Sequence, residues 1–256
     1  MAHDNFIVEK EGHIAVITFN RPPANPVSLA TLEEMEQILD TLEGDREVRV
    51  VVITGSGEKA FCAGFDVKDA ANGPAAGSKG SALWTRVDQF PKPVVAAING
   101  FAYGGGCELA LACTFRLMIE SAEPIIGLTE LNLGIIPGWG GTQRMMRTIG
   151  KAKTLDLILF SKRLNSQEAL DMGMVDRVIP ADRFMEDVFD FCRQLAERPP
   201  IAVGCVLKAV SAGVYQGMDA GLKVEREGSD RVRSTADCVE GFTAFLEKRD
   251  PKFKGE

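Results

Sequence analysis

Histidine is almost missing from this chain: there are two in 256 residues, His3 and His13. A Ser-His-Asp or Cys-His nucleophile needs a histidine that can reach it, and a catalytic zinc typically needs two or three histidine or cysteine ligands at a readable spacing. Neither pattern is present, so no metal site is expected and acid-base chemistry falls to carboxylates. Paired cysteines are also lacking. Cys62, Cys107, Cys113, Cys192, Cys205 and Cys238 form no C-x-x-C motif and sit mostly in apolar runs, which reads as buried reduced thiols rather than disulfides or metal ligands.

Positive charge is in deficit, with 29 Lys and Arg against 36 Asp and Glu and a net charge of -7. That balance argues against a general nucleic-acid surface, while a local basic patch for a phosphorylated small molecule stays compatible with it. No run approaches the roughly 20 apolar residues that span a bilayer. The opening MAHDNFIVEKEG carries neither a signal-peptide nor a transit-peptide pattern, so a soluble, cytoplasmic protein with no membrane partner is expected. The segment GSGEKA (55 to 60) fails the G-x-G-x-x-G fingerprint, and no internal repeat is evident.

What is present is an ordinary globular composition and enough chain for a large core, in one domain or one domain with an appendage. HIAVITFN (13 to 20) alternates like a half-buried strand, and RVVVITG (49 to 55) and PVVAAING (93 to 100) read as strands covered on both faces. Between the first two, Ser28 caps a helix to about Glu43, with Leu32, Met35, Leu39 and Leu42 on one face. This succession is α/β, and periodicity alone suggests a doubly wound sheet. AANGPAAGSKGS (70 to 81) reads as a mobile loop. From about residue 151 the pattern turns helical, with Gly173 a helix stop and Pro199-Pro200 a break. The tail helix, 236 to 249, carries Phe242, Phe245 and Leu246, more apolar surface than a free end exposes, and is expected to pack on the main domain or a neighbouring subunit.

The most informative stretch is GGGCELALAC (104 to 113), a buried helix starting near Gly104 or Gly105 whose residues from Cys107 onward are apolar except Glu108. A buried carboxylate needs partners or a proton. Glu108 is either a structural carboxylate, satisfied by a buried cation or turned to water, or a functional one. The glycines favour function, because they allow close ligand approach and leave free N-H groups at the positive end of a helix. A carbonyl polarised by such donors acidifies its α-carbon or activates a conjugated β-carbon to water, and a carboxylate can move the proton. Glu130, in GLTELNLGIIPGWGGTQR (127 to 144), is the candidate second acid; by itself it is equally an ordinary solvated turn residue.

Taken together, NRPPANPVS (20 to 28), KAFCAGFDVK (59 to 68), PVVAAINGFAYGGGCELALAC (93 to 113), GLTELNLGIIPGWGGTQR and the ending AFLEKRDPKFKG resemble the enoyl-CoA hydratase/isomerase, or crotonase, superfamily over nearly the whole chain. The resemblance implies a ββα spiral core, 1-198, and a C-terminal helical trimerisation region, 199-256, giving a homotrimer or dimer of trimers. It implies catalysis by Glu108 and Glu130 and an oxyanion hole of the Phe65 and Gly105 N-H groups. Coenzyme A, part of the substrate rather than a separate cofactor, is then expected along Pro23 and Ala24 and along Ala63, Gly64, Asp66 and Val67. Tyr103, Gly104, Gly138 and Trp139 are implied as further substrate contacts, although Trp139 is equally a core residue. Phe245 and Lys248 reach a neighbouring subunit's substrate or are plain surface.

The implied reaction is reversible syn addition of water to a trans-2-enoyl-CoA, giving 3-hydroxyacyl-CoA. The alternatives on the same scaffold are a specialised hydroxyacyl-CoA dehydratase or an isomerase. An alternative of another class is a non-catalytic acyl-CoA- or RNA-binding homologue, against which the acidic balance and the complete glutamate pair count. Thr129 stands where many hydratases have proline.

Overall fold

The computed structural model describes residues 3–256. An antiparallel hairpin opens the chain, with β1 (Phe6–Glu11) and β2 (Ile14–Phe19) joined by a turn in which Gly12 takes φ +56°. Helix α1 (Leu29–Gly44) begins at Ser28 as read from the sequence. The Ser28 hydroxyl accepts from the Thr31 N-H while the Thr31 hydroxyl accepts from the Ser28 N-H, so two otherwise orphaned donors are satisfied reciprocally. Its buried stripe of Leu32, Met35, Leu39 and Leu42 follows the helical period.

Three longer strands and three short ones then alternate. β3 (Val50–Gly55) is followed by β4 (Ala60–Cys62) and helix α2 (Gly73–Asp88). β5 (Val94–Ile98) is followed by β6 (Phe101–Tyr103) and helix α3 (Gly105–Ala112), and β7 (Phe115–Ile119) by β8 (Ile126–Gly127). After α4 (Gly141–Ile149), α5 (Lys151–Leu159) and α6 (Ser166–Asp171), β9 (Arg177–Ile179) returns to the first sheet. The larger sheet has the order β1-β2-β3-β5-β7-β9 and the smaller one β4-β6-β8, and every pair after the opening hairpin is parallel.

That order distinguishes two α/β architectures. A doubly wound sheet reverses its strand order at a switch point. Here the larger sheet grows in one direction only, while each alternate strand is diverted into the second sheet before a helix returns. The result is the ββα spiral implied by the resemblance, not the doubly wound sheet suggested by periodicity alone. The strands β3 and β5 are buried at every residue, as parallel strands covered on both faces should be.

One face of the larger sheet packs against α1, α2 and α3 through Leu39, Trp84 and Leu109 among others. The opposite face is covered by α7 (Phe184–Ala196), which supplies Phe184, Val188 and Cys192.

The segment expected to be a mobile loop, 70 to 81, is helical. A 3-10 helix, Val67–Asn72, runs directly into α2, whose first turn holds Pro74. Proline fits a helix start because its missing N-H would be unpaired there, and alanine is a strong helix former. The absence of large apolar residues, read as loop character, serves close packing instead: Ala76 and Gly80 are buried.

Beyond Pro199 the chain forms α8 (Pro200–Gln216), α9 (Met218–Arg233) and α10 (Ala236–Glu247). α8 and α9 approach closely where a Cβ on Gly221 would lie 2.8 Å from Gly213 Cα. The last residues turn back to the core, with Arg49 donating to the carbonyls of Ala196 and Phe253, both at 3.0 Å. Yet Phe242, Phe245 and Leu246 are 70%, 80% and 79% exposed, so the chain's own main domain does not cover them. All six cysteines are unpaired, and four are buried. Among the described residues no helix is long and apolar enough to cross a membrane.

Candidate active site

The helix carrying Glu108 is buried at all eight positions. Its amino end is prepared by Gly104, at φ +51° and ψ -123°, a conformation that side-chain-bearing residues rarely adopt. Glu108 itself is 2% exposed, and its Oε1 accepts from the backbone N-H groups of Trp139 (2.7 Å) and Gly141 (2.8 Å). The protein partners are therefore backbone amides rather than a direct cation contact. Burial raises the pKa of Glu108, while the two amides and the nearby Arg144 charge oppose that rise.

Glu130 occupies a contrasting place. It opens a short 3-10 helix, Glu130–Leu133, and is half-buried rather than on an exposed turn. Its Oε2 is buried and has no hydrogen-bond partner among the described residues. Burial, reinforced by the charge of Glu108, raises its pKa to about 7. Both carboxylates lie near enough to the buried Cys107 thiol to raise its pKa, after burial itself. A Cβ on Gly104 would stand 3.3 Å from Glu130 Oε1, so the glycine run reaches the second acid as well as the first.

The CAGFD segment meets the glycines across this space. Gly64 takes φ +87°, and a Cβ there would lie 2.8 Å from both Gly105 N and Tyr103 O. The strand-like bridge from Val27 to Phe65 fixes the segment through Val27 N to Gly64 O and Asp66 N to Val27 O, each 2.8 Å. These bonds use the Gly64 carbonyl and the Asp66 N-H and leave the Phe65 N-H between them unused. Neither Phe65 N nor Gly105 N donates to another described residue. Two free amides thus stand on adjoining segments beside two carboxyl groups, an arrangement suited to an oxygen that gains negative charge.

Trp139 closes the site from the side. It is 6% exposed and meets Phe65 and Trp84 edge-on, at centroid distances of 6.3 and 5.7 Å. Its ring fills a slot between Gly80 and Gly105, where an added Cβ would come within 2.4 Å of ring atoms in each case. Trp84 Nε1 donates to the Gly105 carbonyl at 3.0 Å, holding that residue in place. Trp139 is therefore a core residue that also touches Gly105 and Phe65.

Pro23 and Ala24 lie on a loop pinned from below by the fully buried Asn25, whose Nδ2 donates to the carbonyls of Ala60 (2.7 Å) and Ser56 (3.1 Å). Ala63 N donates to Ala24 O at 3.0 Å, so this loop and the CAGFD segment form one surface. Asp66 is held by Arg21 at 3.0 Å, while Ala63 and Val67 are exposed along its edge. The Tyr103 hydroxyl donates to Pro124 O at 2.6 Å, and Gly138 is exposed beside Trp139. Phe245 and Lys248 belong to the exposed end of α10. The histidines take no part: His13 bonds Glu47 O and His3 pairs with Glu34.

Sequence reasoning missed Arg144. It is 6% exposed, and it donates to Trp139 O at 2.8 Å, Asp88 Oδ2 at 2.9 Å, Thr85 Oγ1 at 3.1 Å and Tyr215 Oη at 3.4 Å. The only signal available was a lone cation closing the GGTQR motif. Its side-chain partners lie 56, 59 and 71 residues away in sequence.

The chain resembles known proteins throughout its length. A family model described as Enoyl-CoA hydratase/isomerase matches residues 9–256. A protein named short-chain-enoyl-CoA hydratase from Clostridium acetobutylicum is 38% identical over 255 residues, covering 97% of each chain. A crotonyl-CoA hydratase from Syntrophomonas wolfei is 36% identical, covering 99% of each. The crystal structure of an enoyl-CoA hydratase from Bacillus anthracis superposes with a TM-score of 0.94 at 43% identity, over 99% of this chain and 100% of that one. The motifs, the spiral and these likenesses agree, and the chain belongs to the enoyl-CoA hydratase/isomerase family.

Proposed function

We propose that the chain is an enoyl-CoA hydratase that adds water across a trans-2-enoyl-CoA in a reversible syn addition. The observation that carries this reading is the unlike state of two neighbouring carboxyl groups. Glu108 is supported in its ionised form by two amides and a nearby guanidinium, while Glu130 keeps a lone buried oxygen and a pKa of about 7. Environments that separate two carboxyls in this way assign one as base and the other as acid.

The thioester oxygen accepts hydrogen bonds from Phe65 N and Gly105 N, which draws electron density from the C2–C3 double bond. Glu108 takes a proton from water as the oxygen attacks C3. Glu130, protonated, delivers its proton to C2. The product is 3-hydroxyacyl-CoA, one water heavier than the substrate, and proton exchange through solvent returns both carboxyls to their starting states. The coenzyme A portion lies along Pro23, Ala24 and the Ala63 to Val67 edge. The acyl end passes Tyr103, Gly104, Gly138 and the Trp139 wall.

The apolar face of α10 is read as covered by a second copy of the chain, in a trimer or pair of trimers. There Phe245 and Lys248 would reach the neighbour's substrate. Exposed apolar area of this kind is characteristic of an association surface.

A panel of enoyl-CoA thioesters, from four carbons to long, branched and cyclic, tests the activity by loss of conjugation absorbance and by product mass. Gain of one water supports hydration. Turnover without a mass change would replace hydration by isomerisation, and binding without turnover on any member would leave a non-catalytic acyl-CoA protein.

A further inference from the structure

We propose that Arg144 is a positioning residue for Glu108. Held by Asp88 and Tyr215, it fixes the Trp139–Gly141 turn whose two amides bind the Glu108 carboxylate, and so ties the helical C-terminal region to the site. The inference rests on the reading of Glu108 as the base.

The geometry is specific. The carbonyl that Arg144 Nη1 holds at 2.8 Å belongs to the peptide linking Trp139 to Gly140. The peptides on either side of it supply the N-H groups that Glu108 Oε1 accepts at 2.7 and 2.8 Å. Rotation of the middle peptide would therefore turn both donors away. Gly140 makes room for the clamp: it takes φ +100°, and a Cβ there would fall 2.2 Å from Arg144 Nη1.

The clamp is itself anchored from two other elements. Asp88, at the end of α2, accepts from Arg144 Nε at 2.9 Å and from the Tyr215 hydroxyl at 2.6 Å. Tyr215 sits near the end of α8, where Arg147 of α4 lies over its ring at 5.1 Å. A planar guanidinium can serve the turn, Asp88 and Thr85 at once because its donors point in fixed directions. An ammonium on the same stem cannot reproduce that set.

The charged and titratable groups acting on Glu108 and Arg144 are few. Glu108 raises the pKa of Glu130, and Cys107 feels both. Asp88, Tyr215 and Cys113 surround the guanidinium. The Arg144 charge favours ionised Glu108, so removing it should raise the pH at which Glu108 becomes a competent base.

The test uses the purified full chain with crotonyl-CoA, comparing Arg144→Lys, Arg144→Met and Tyr215→Phe, with Glu108→Gln run in parallel. Displacement of a catalytic group by about 1 Å can cost on the order of 100-fold. Arg144→Lys should lower kcat at least about 10-fold with KM changed less than about 3-fold, the signature of a lost transition-state contribution. Arg144→Met should lower kcat further and move the acid limb of the kcat/KM profile to higher pH. Tyr215→Phe, the mildest change and the one expected to fold in any case, should lower kcat about 2- to 5-fold in the same pattern.

Folded variants that lose thermal stability but keep kcat and the acid limb would overturn the proposal, as would a loss carried only by KM. If Arg144→Lys or Arg144→Met fails to fold, unchanged kcat in Tyr215→Phe overturns it alone. Near-native turnover by Glu108→Gln would instead sink the underlying reading of the base, whatever the Arg144 variants do.

Discussion

Glu108 and Glu130 are the same chemical group in two differently built places. The first sits in a helix with no exposed residue, gripped by two amides that a buried arginine steadies. The second opens a 3-10 helix with no fully buried residue, and the chain beyond it exposes Leu133, Ile135 and Ile136 at 70%, 57% and 72%. The contrast teaches that proton affinity is set by what surrounds each carboxyl rather than by residue type. At Glu108 a rigid cradle of donors and a nearby guanidinium oppose the rise in pKa that burial imposes. Where burial outweighs the backbone donors and a like charge adds to it, as at Glu130, the protonated state gains.

These experiments would break or sharpen this contrast. Glu108→Gln and Glu130→Gln should each lower turnover on crotonyl-CoA by at least about 100-fold, the low end for positioned acid-base groups. Near-native turnover by either variant would strike that residue from the chemistry. A smaller loss, about 10-fold in kcat, is expected of Gly141→Ala. Its Cβ would come within 2.8 Å of Glu108 Cγ and 3.0 Å of both Oε1 and Leu128 Cδ1. The carboxylate would have to leave its cradle while the fold survives, and unchanged kcat would show that the cradle is not required.

Glu130→Gln should also change stability. The folded pKa of Glu130 is raised to about 7 from an ordinary 4.5. The folded state therefore holds more protons than the unfolded state between those values, and the wild-type chain loses stability as pH rises through that window. The variant lacks this penalty, so its advantage in melting temperature should grow from pH 4.5 to 7 and then level off. With solvent screening of a partly exposed group included, the gain is about 1–2 kcal/mol. A pH-independent difference would mean that Glu130 titrates normally.

The subtlest effect is electrostatic. Because the charge of Glu108 helps to raise the pKa of Glu130, Glu108→Gln should lower it by less than about one unit, read from labelled carboxyl resonances. In the wild-type chain the alkaline limb of kcat/KM should lie near the value of about 7, since the acid must be protonated in the free protein.

The α/β succession, the α1 cap at Ser28 and the start of α3 were readable because each is a local pattern: alternation, a capping side chain, a glycine run before an apolar helix. The spiral was not, without the family resemblance. Strands of two or three residues such as β8 and β4 carry too little periodicity to announce a second sheet. The helix over 73 to 81 was hidden because its glycine and alanine pattern records contact with Trp139, more than 50 residues later, rather than an apolar period of its own. Both glutamates stood out, one for its apolar neighbours and the other through the motif. The Arg144 anchorage did not, since every side chain it binds comes from another part of the chain.

The slot occupied by Trp139 has a consequence for how relatives can diverge. A Cβ added at Gly80 or Gly105 would lie 2.4 Å from an atom of the indole, so the three positions form one linked character. An alanine at either glycine is admissible only beside a smaller residue at 139, and a chain that shrinks 139 first acquires freedom at both. Aligned homologues should therefore exchange these positions together. A sequence carrying a large aromatic at 139 with alanine at 80 or 105 would signal that the neighbouring backbone has moved.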